Sequence, residues 1–195
     1  MTRVHPLAKR ALERRALQKS EELSQLLVLV EKQRPGAVVE IGTNLGGTLL
    51  CWCELAEPEA VIVSVDLGSY FEDGYPAGLT ARMRRRFPKE NQTLHLVEAD
   101  SHQPSTLETV KSAIGDRRLD FLFIDGDHSY EGVRLDFDMY GPLVRAGGLI
   151  ALHDILPHPD SDVSELWGEV KDAYQHVEFI AEPHDWGGIG VLWQT

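Results

Sequence analysis

Cysteine is nearly missing from this chain: Cys51 and Cys53 are the only two, and they stand two apart on a segment that reads as helix, where their side chains diverge. A disulfide framework is excluded, and both read as packing residues rather than metal or redox groups. Long apolar runs are missing too. None approaches the roughly 20 residues of a membrane span. Lys9, Arg10, Arg14 and Arg15 have no apolar stretch behind them of the kind a secretion signal carries, so a cytoplasmic setting with no membrane partner is expected. Positive charge is scarce: 19 Lys and Arg face 31 Asp and Glu, a formal net charge of -12. That balance argues against nucleic acid, whose binding rests on cations meeting phosphates. One basic cluster, Arg82, Arg84, Arg85 and Arg86, reads as a solvated helix face or a subunit contact. Repeats, low-complexity tracts and a second globular domain are not found.

What is present is an alternation. Residues 6–34 read as an N-terminal helical segment, with Ser20 as N-cap and Leu23, Leu26, Leu27 and Val30 on one stripe, ended by Pro35-Gly36. Apolar, β-branched runs follow at 38–41, 61–65, 94–97, 119–124 and 148–152, with helices expected near 46–56, 79–87, 104–114, 130–144 and 162–174. Strand then helix, repeated, implies a parallel sheet covered on both faces. Two further strand-like runs, 177–180 and 189–193, have only a loop between them, so they should form an antiparallel hairpin. The expected fold is α/β, a Rossmann-like three-layer sandwich. Its seven-stranded, mostly parallel sheet ends in a C-terminal hairpin, and the N-terminal helix is added to it.

The most telling stretch is Val38-Val39-Glu40-Ile41-Gly42-Thr43-Asn44-Leu45-Gly46-Gly47-Thr48. A strand that ends in a glycine turn before a helix exposes backbone amides to a nucleotide-like ligand. A dinucleotide turn of the G-x-G-x-x-G kind would have glycine where this chain has Asn44, and the carboxylate of Glu40 would repel a diphosphate. The same carboxylate suits a cofactor that is positive at this end, such as the amino-acid portion of S-adenosylmethionine (SAM). The segment E-x-G-x-x-x-G resembles the first motif of class I SAM-dependent methyltransferases.

Ligands of an open parallel sheet bind beyond the carboxyl ends of the strands. Asp66, which closes the second strand, stands near the spacing at which an acid meets ribose hydroxyls. Asp100, beside Ser101 after the third strand, could accept from an adenine amino group. Either aspartate alone also reads as a turn cap. The fourth strand runs into Asp125-Gly126-Asp127-His128-Ser129-Tyr130 and the fifth into His153-Asp154. Neighbouring parallel strands lie about 5 Å apart, so Asp125, His153 and Asp154 could converge. Converging carboxylates call for a cation or protons. Oxygen donors favour magnesium, calcium or manganese, and an imidazole tilts the choice toward manganese, zinc or iron. The competing reading is that Asp127 or Ser129 caps the helix from Tyr130 and that His153 is a neutral histidine with satisfied partners.

The run F-I-D-G-D-H-S-Y-E-G-V, with G-P-L-V-R-A-G-G-L-I and A-L-H-D, resembles the methyltransferase 24 family of small class I methyltransferases, over about residues 20 to 195. More distantly it is similar to metal-dependent O-methyltransferases acting on catechols, macrolide sugars and antibiotic precursors. The resemblance implies a SAM-dependent methyltransferase domain over 35–195 after the helical segment 1–34. Its substrate would be a small hydroxylated molecule. The implied cofactor contacts are Glu40, Gly42, Thr43, Gly46, Asp66, Asp100, Ser101 and Asp125. Asp125, His153 and Asp154 are the implied ligands of a divalent metal, magnesium or manganese. Relatives usually carry aspartate, glutamate or asparagine at the last two positions, so His153 is a departure. His128, three residues after Asp125, is the candidate general base, because imidazole titrates near neutrality; His158 is second choice. Tyr70, Phe71 and Tyr75 suit a lid, Trp186 the same cleft, and the N-terminal helix could cover the site or pair two copies into a homodimer. A nucleotide-cofactor oxidoreductase, or a binding module of this fold without turnover, remain the alternatives.

Overall fold

The computed structural model describes residues 4–68, 82 and 84–195. The connection carrying Tyr70, Phe71 and Tyr75 lies outside the described residues, as do residues 79–81 and 83 of the helix expected over 79–87.

The N-terminal run is two helices rather than one. Helix α1 (Pro6–Leu12) begins where the Leu7 amide donates to the His5 ring and proline fills the first turn, where its missing N–H is harmless. It ends ahead of Arg15, whose φ of 59° is left-handed. A strap over residues 13–19 then leads into α2 (Ser20–Gln33). Lys19, not Ser20, holds the N-cap position of α2, and the Ser20 hydroxyl donates to Glu21.

Seven strands follow: β1 (Ala37–Ile41), β2 (Val61–Asp66), β3 (Thr93–Glu98), β4 (Leu119–Ile124), β5 (Val144–His153), β6 (Gln175–Phe179) and β7 (Ile189–Trp193). They form one sheet in the order β3-β2-β1-β4-β5-β7-β6, parallel through β5 and antiparallel over the expected hairpin. Helix α3 (Gly47–Leu55) follows β1, α4 (Pro104–Ile114) follows β3, α5 (Tyr130–Tyr140) follows β4 and α6 (Val163–Val170) follows β5. The last two are shorter than expected because their ends tighten into 3-10 turns, the first of them containing Pro142. No described helix is long and apolar enough to cross a membrane.

Residue parity on the strands divides the core in two. Val38, Phe121, Phe123 and Ala151 point toward α1, α2 and α3, where Trp52 packs edge-on against Phe121 at 4.9 Å between ring centroids. Val39, Ile41, Leu122, Ile124 and Leu152 point the other way, onto α4, α5 and α6. Cys51 and Cys53 are buried in the first layer as packing residues. Burial pushes both thiols up to about 12.

The register brings the site together. Ile41 pairs with Val65 on one side and Ile124 on the other, so Gly42 and Asp125 leave the sheet side by side. Their backbones are in contact: a Cβ on Gly42 would fall 1.8 Å from the Asp125 carbonyl oxygen, and the φ of 81° suits only glycine. Phe123 pairs with Ala151, so Asp125 and His153, two residues further on, are neighbours on one face.

Candidate functional site

A cleft of about 900 Å³ opens at the carboxyl end of the sheet, where strand order reverses between β1 and β4. Of the expected cofactor contacts, it is lined by Gly42, Thr43, Asp66, Asp100, Ser101 and Asp125, and the expected metal and base residues His128, His153 and Asp154 line it as well. Trp186 reaches it from the hairpin loop. Glu40, Gly46 and His158 do not line it.

Glu40 lies behind the glycine turn, fully buried, and accepts a 2.6 Å hydrogen bond from the Trp52 indole. Burial pushes its carboxyl up to about 7, against the pull of Thr48, Thr43 and Trp52. Asp66 is committed to the turn: one oxygen accepts the amides of Thr43 and Asn44 at 2.8 and 2.7 Å, the other that of Gly68. The amides a diphosphate would use are therefore already taken by a carboxylate. Gly46 packs against Arg84 and Phe87. Arg84 departs from the solvated face expected of its cluster: it is buried and lines the cleft.

The chemistry concentrates on four side chains. The His153 ring stands between two carboxylates, its Nδ1 3.1 Å from Asp125 and 3.3 Å from Asp154. Burial alone would lower its proton affinity, but the two aspartates hold the ring protonated, up to about 10. The Asp125 carboxyl, which burial would raise, is held below its usual range by His153 and His128. His128 completes the ring of contacts, with Nδ1 3.3 Å from Asp154 and Nε2 3.6 Å from Asp125. Its hydrogen bond to Asp125 raises its proton affinity, against the effect of burial. Asp154 turns its carboxylate inward through a left-handed φ of 60°, a strained setting for a residue other than glycine. The capping reading holds for Ser129 and Asp127. The Ser129 hydroxyl caps α5 by accepting from Gly132, and Asp127 accepts the Ser129 amide. His153, by contrast, has two carboxylates at its Nδ1, which favour its protonated form.

Three contacts had no signal in the sequence. Gln18, on the strap between α1 and α2, donates to Asp125 at 2.6 Å. Glu22, buried on α2, accepts the amides of Ala181 and Gly188 and ties the helix to the hairpin loop. Asp136 of α5 lies under the cleft beside His102.

A family model for the methyltransferase domain of the methyltransferase 24 family matches residues 39–155, more than half of the chain. The chain belongs to that family. This methyltransferase-domain chain is also 25% identical over 166 residues to the uncharacterized protein y4gI of Sinorhizobium fredii, covering 84% of itself and 18% of that protein. It thus spans less than a fifth of the relative's length. Among solved structures it is similar to the O-methyltransferase TomG of Streptomyces achromogenes, involved in tomaymycin synthesis and seen with SAM. That match has a TM-score of 0.67 at 13% identity, over 99% of this chain and 92% of TomG. It is also similar to MycE of the mycinamycin biosynthetic pathway, seen with magnesium and S-adenosylhomocysteine, with a TM-score of 0.64 at 18% identity over 99% of this chain and 55% of MycE. At these identities the likeness establishes the fold.

Asp125, His128 and Asp154 each offer a ligand atom within 4.8 Å of the others, the one such group among the described residues. The two carboxylates fit a divalent cation, with the His128 imidazole beside them. This trio shares Asp125 and Asp154 with the expected set and has His128 in the place of His153.

Proposed function

We propose that this chain is a SAM-dependent methyltransferase that methylates an oxygen of a small hydroxylated molecule, with metal assistance at Asp125 and Asp154. The observation that carries this reading is the cleft itself. An imidazole and two carboxylates meet on its wall, next to a glycine turn whose amides are closed to a diphosphate. Solved neighbours with SAM or with magnesium and S-adenosylhomocysteine support the cofactor and the metal.

Methyl transfer from a sulfonium to oxygen needs an aligned acceptor and a place for its proton. SAM supplies the methyl group on a positively charged sulfur, which suits a cleft lined by Asp100, Asp125, Asp127 and Asp154. Nδ1 of His128 is oriented by Asp154, which leaves Nε2, the nitrogen facing Asp125 at longer range, to take the hydroxyl proton. Asp125 then holds the imidazolium. A divalent cation held by Asp125 and Asp154 would stabilise negative charge on the acceptor oxygen. His153 keeps the two carboxylates in register, and Trp186, 6.4 Å from it between ring centroids, walls the acceptor side.

Isotope transfer from methyl-labelled SAM into a panel of phenols and sugars tests the reading. Label should appear in at least one hydroxylated acceptor and should fall by about 100-fold or more in His128→Ala. Calorimetry that finds no binding of SAM or S-adenosylhomocysteine would refute the cofactor, and full turnover in His128→Ala would refute the base.

A further inference from the structure

The strap before α2 is pinned at two residues and leaves the one between them outside. Ala16 packs on the start of α3, where a Cβ on Gly47 would fall 2.7 Å from its methyl group. Gln18 turns inward and donates to Asp125. Leu17, between them, is 59% exposed, the most exposed large apolar side chain among the described residues. Leu12 at the end of α1 and Trp186 in the hairpin loop are each 38% exposed, and with Leu17 they line a second groove, of about 790 Å³. Single apolar side chains on a surface are ordinary, but three that converge on one groove mark a binding surface.

The tryptophan is held where it stands. Glu22 fixes both ends of its loop by accepting the amides of Ala181 and Gly188. The Lys19 ammonium pairs with Asp185 at 2.8 Å and lies 5.2 Å from the centroid of the indole. The groove and the cleft adjoin at this point, for Ala16, Leu17, Gln18 and Trp186 line both. A molecule whose hydroxyl lies beside Asp125 and His128 can therefore continue past Leu17 and Trp186 into the groove. The charge there has one sign. Glu21, Glu182 and Asp185 line the groove against Lys19 alone, which is already paired, and the arginines of the cleft, Arg15 and Arg84, do not reach it.

We infer that the groove is a second subsite for the methyl acceptor, which carries beyond its reacting hydroxyl an apolar body without negative charge, laid against Leu17 and Trp186. The inference rests on the reading of the cleft as a methyl-transfer site and names the kind of molecule it serves. An alkyl or aryl body gains by leaving water at the leucine and the indole face. A carboxylate or phosphate on that body would meet Glu21 and Glu182 with no unpaired cation among the described residues of the groove, and like charges brought together disfavour binding.

The test is calorimetry on the full chain saturated with S-adenosylhomocysteine, titrated with 4-methylphenol, 4-propylphenol and 4-pentylphenol. Affinity should rise about threefold per added methylene in the wild type. Leu17→Ser, at an exposed position that the fold does not need, and Trp186→Ala should each cut that gain to below about twofold. A phenol whose alkyl chain ends in an ammonium should bind about fivefold more tightly than its counterpart ending in a carboxylate. An affinity that stays flat along the series, or rises equally in both variants, overturns the subsite, and a preference for the carboxylate overturns the assignment of charge. Sedimentation that finds the wild type paired and Leu17→Ser single would make the groove a subunit contact and overturn the inference as well. Wild type that binds no S-adenosylhomocysteine overturns the cofactor reading itself, which a flat series leaves intact.

Discussion

Replacing His153 with leucine takes the cation out from between Asp125 and Asp154 and leaves two carboxylates facing each other in a site where His153 is 3% exposed. Breaking a buried pair of this kind costs about 3–5 kcal/mol. The pH dependence gives a sharper signature. The imidazole moves from an ordinary value of 6.5 to about 10 in the folded chain, so between these two values the folded state holds one proton more than the unfolded state. The stabilisation is therefore whole below pH 6.5 and is lost at about 1.4 kcal/mol per pH unit as pH rises toward 10. Urea denaturation of both proteins in the presence of a chelator measures the difference. It should be about 4 kcal/mol near pH 6, about 2 near pH 8, and close to nothing at about pH 10. Cys51 and Cys53 titrate in both proteins and cancel in the comparison. A difference that stays constant from pH 6.5 upward would show that His153 carries no extra proton in the fold.

Two other expectations concern the frame around the cleft. Gly42→Ala forces a Cβ into the Asp125 carbonyl at a left-handed φ, and urea denaturation should show a loss of about 3 kcal/mol or more; an unchanged midpoint would refute the close approach of the two turns. Cys51 and Cys53, buried with thiols pushed up to about 12, should resist a thiol reagent at pH 8 until the chain is denatured, when both should react; rapid labelling of the native protein would refute their burial.

The succession of strands and helices and the terminal hairpin were legible because they follow from local chemistry. Runs such as Val61–Val65 and Leu119–Ile124 are β-branched and apolar with turn residues at both ends, and the gap between the last two runs is too short for a crossover helix. The meeting of Asp125, His153 and Asp154 followed from adjacency of their strands. What could not be read were contacts that depend on distant parts of the chain. The break in the N-terminal helix turns on Arg15 entering left-handed space, a conformation its residue type does not favour. Glu40 was read toward a ligand because its neighbours form a motif. In the fold its oxygen meets Trp52, and that choice depends on which face of β1 carries even-numbered residues. Asp136 reads as the polar side of an amphipathic helix, and only the packing of α5 under the loop after β3 shows it buried.

The hydrogen bond from Gln18 to Asp125 joins residues 107 positions apart and makes the strap before α2 a wall of the cleft. Removing residues 4–19 would spare every strand and yet uncover the core layer beneath α1 and strip a partner from Asp125. Residues 13–19 thus tie the packing of α1 to the electrostatics of the cleft, and a change in this short segment would be felt at Asp125.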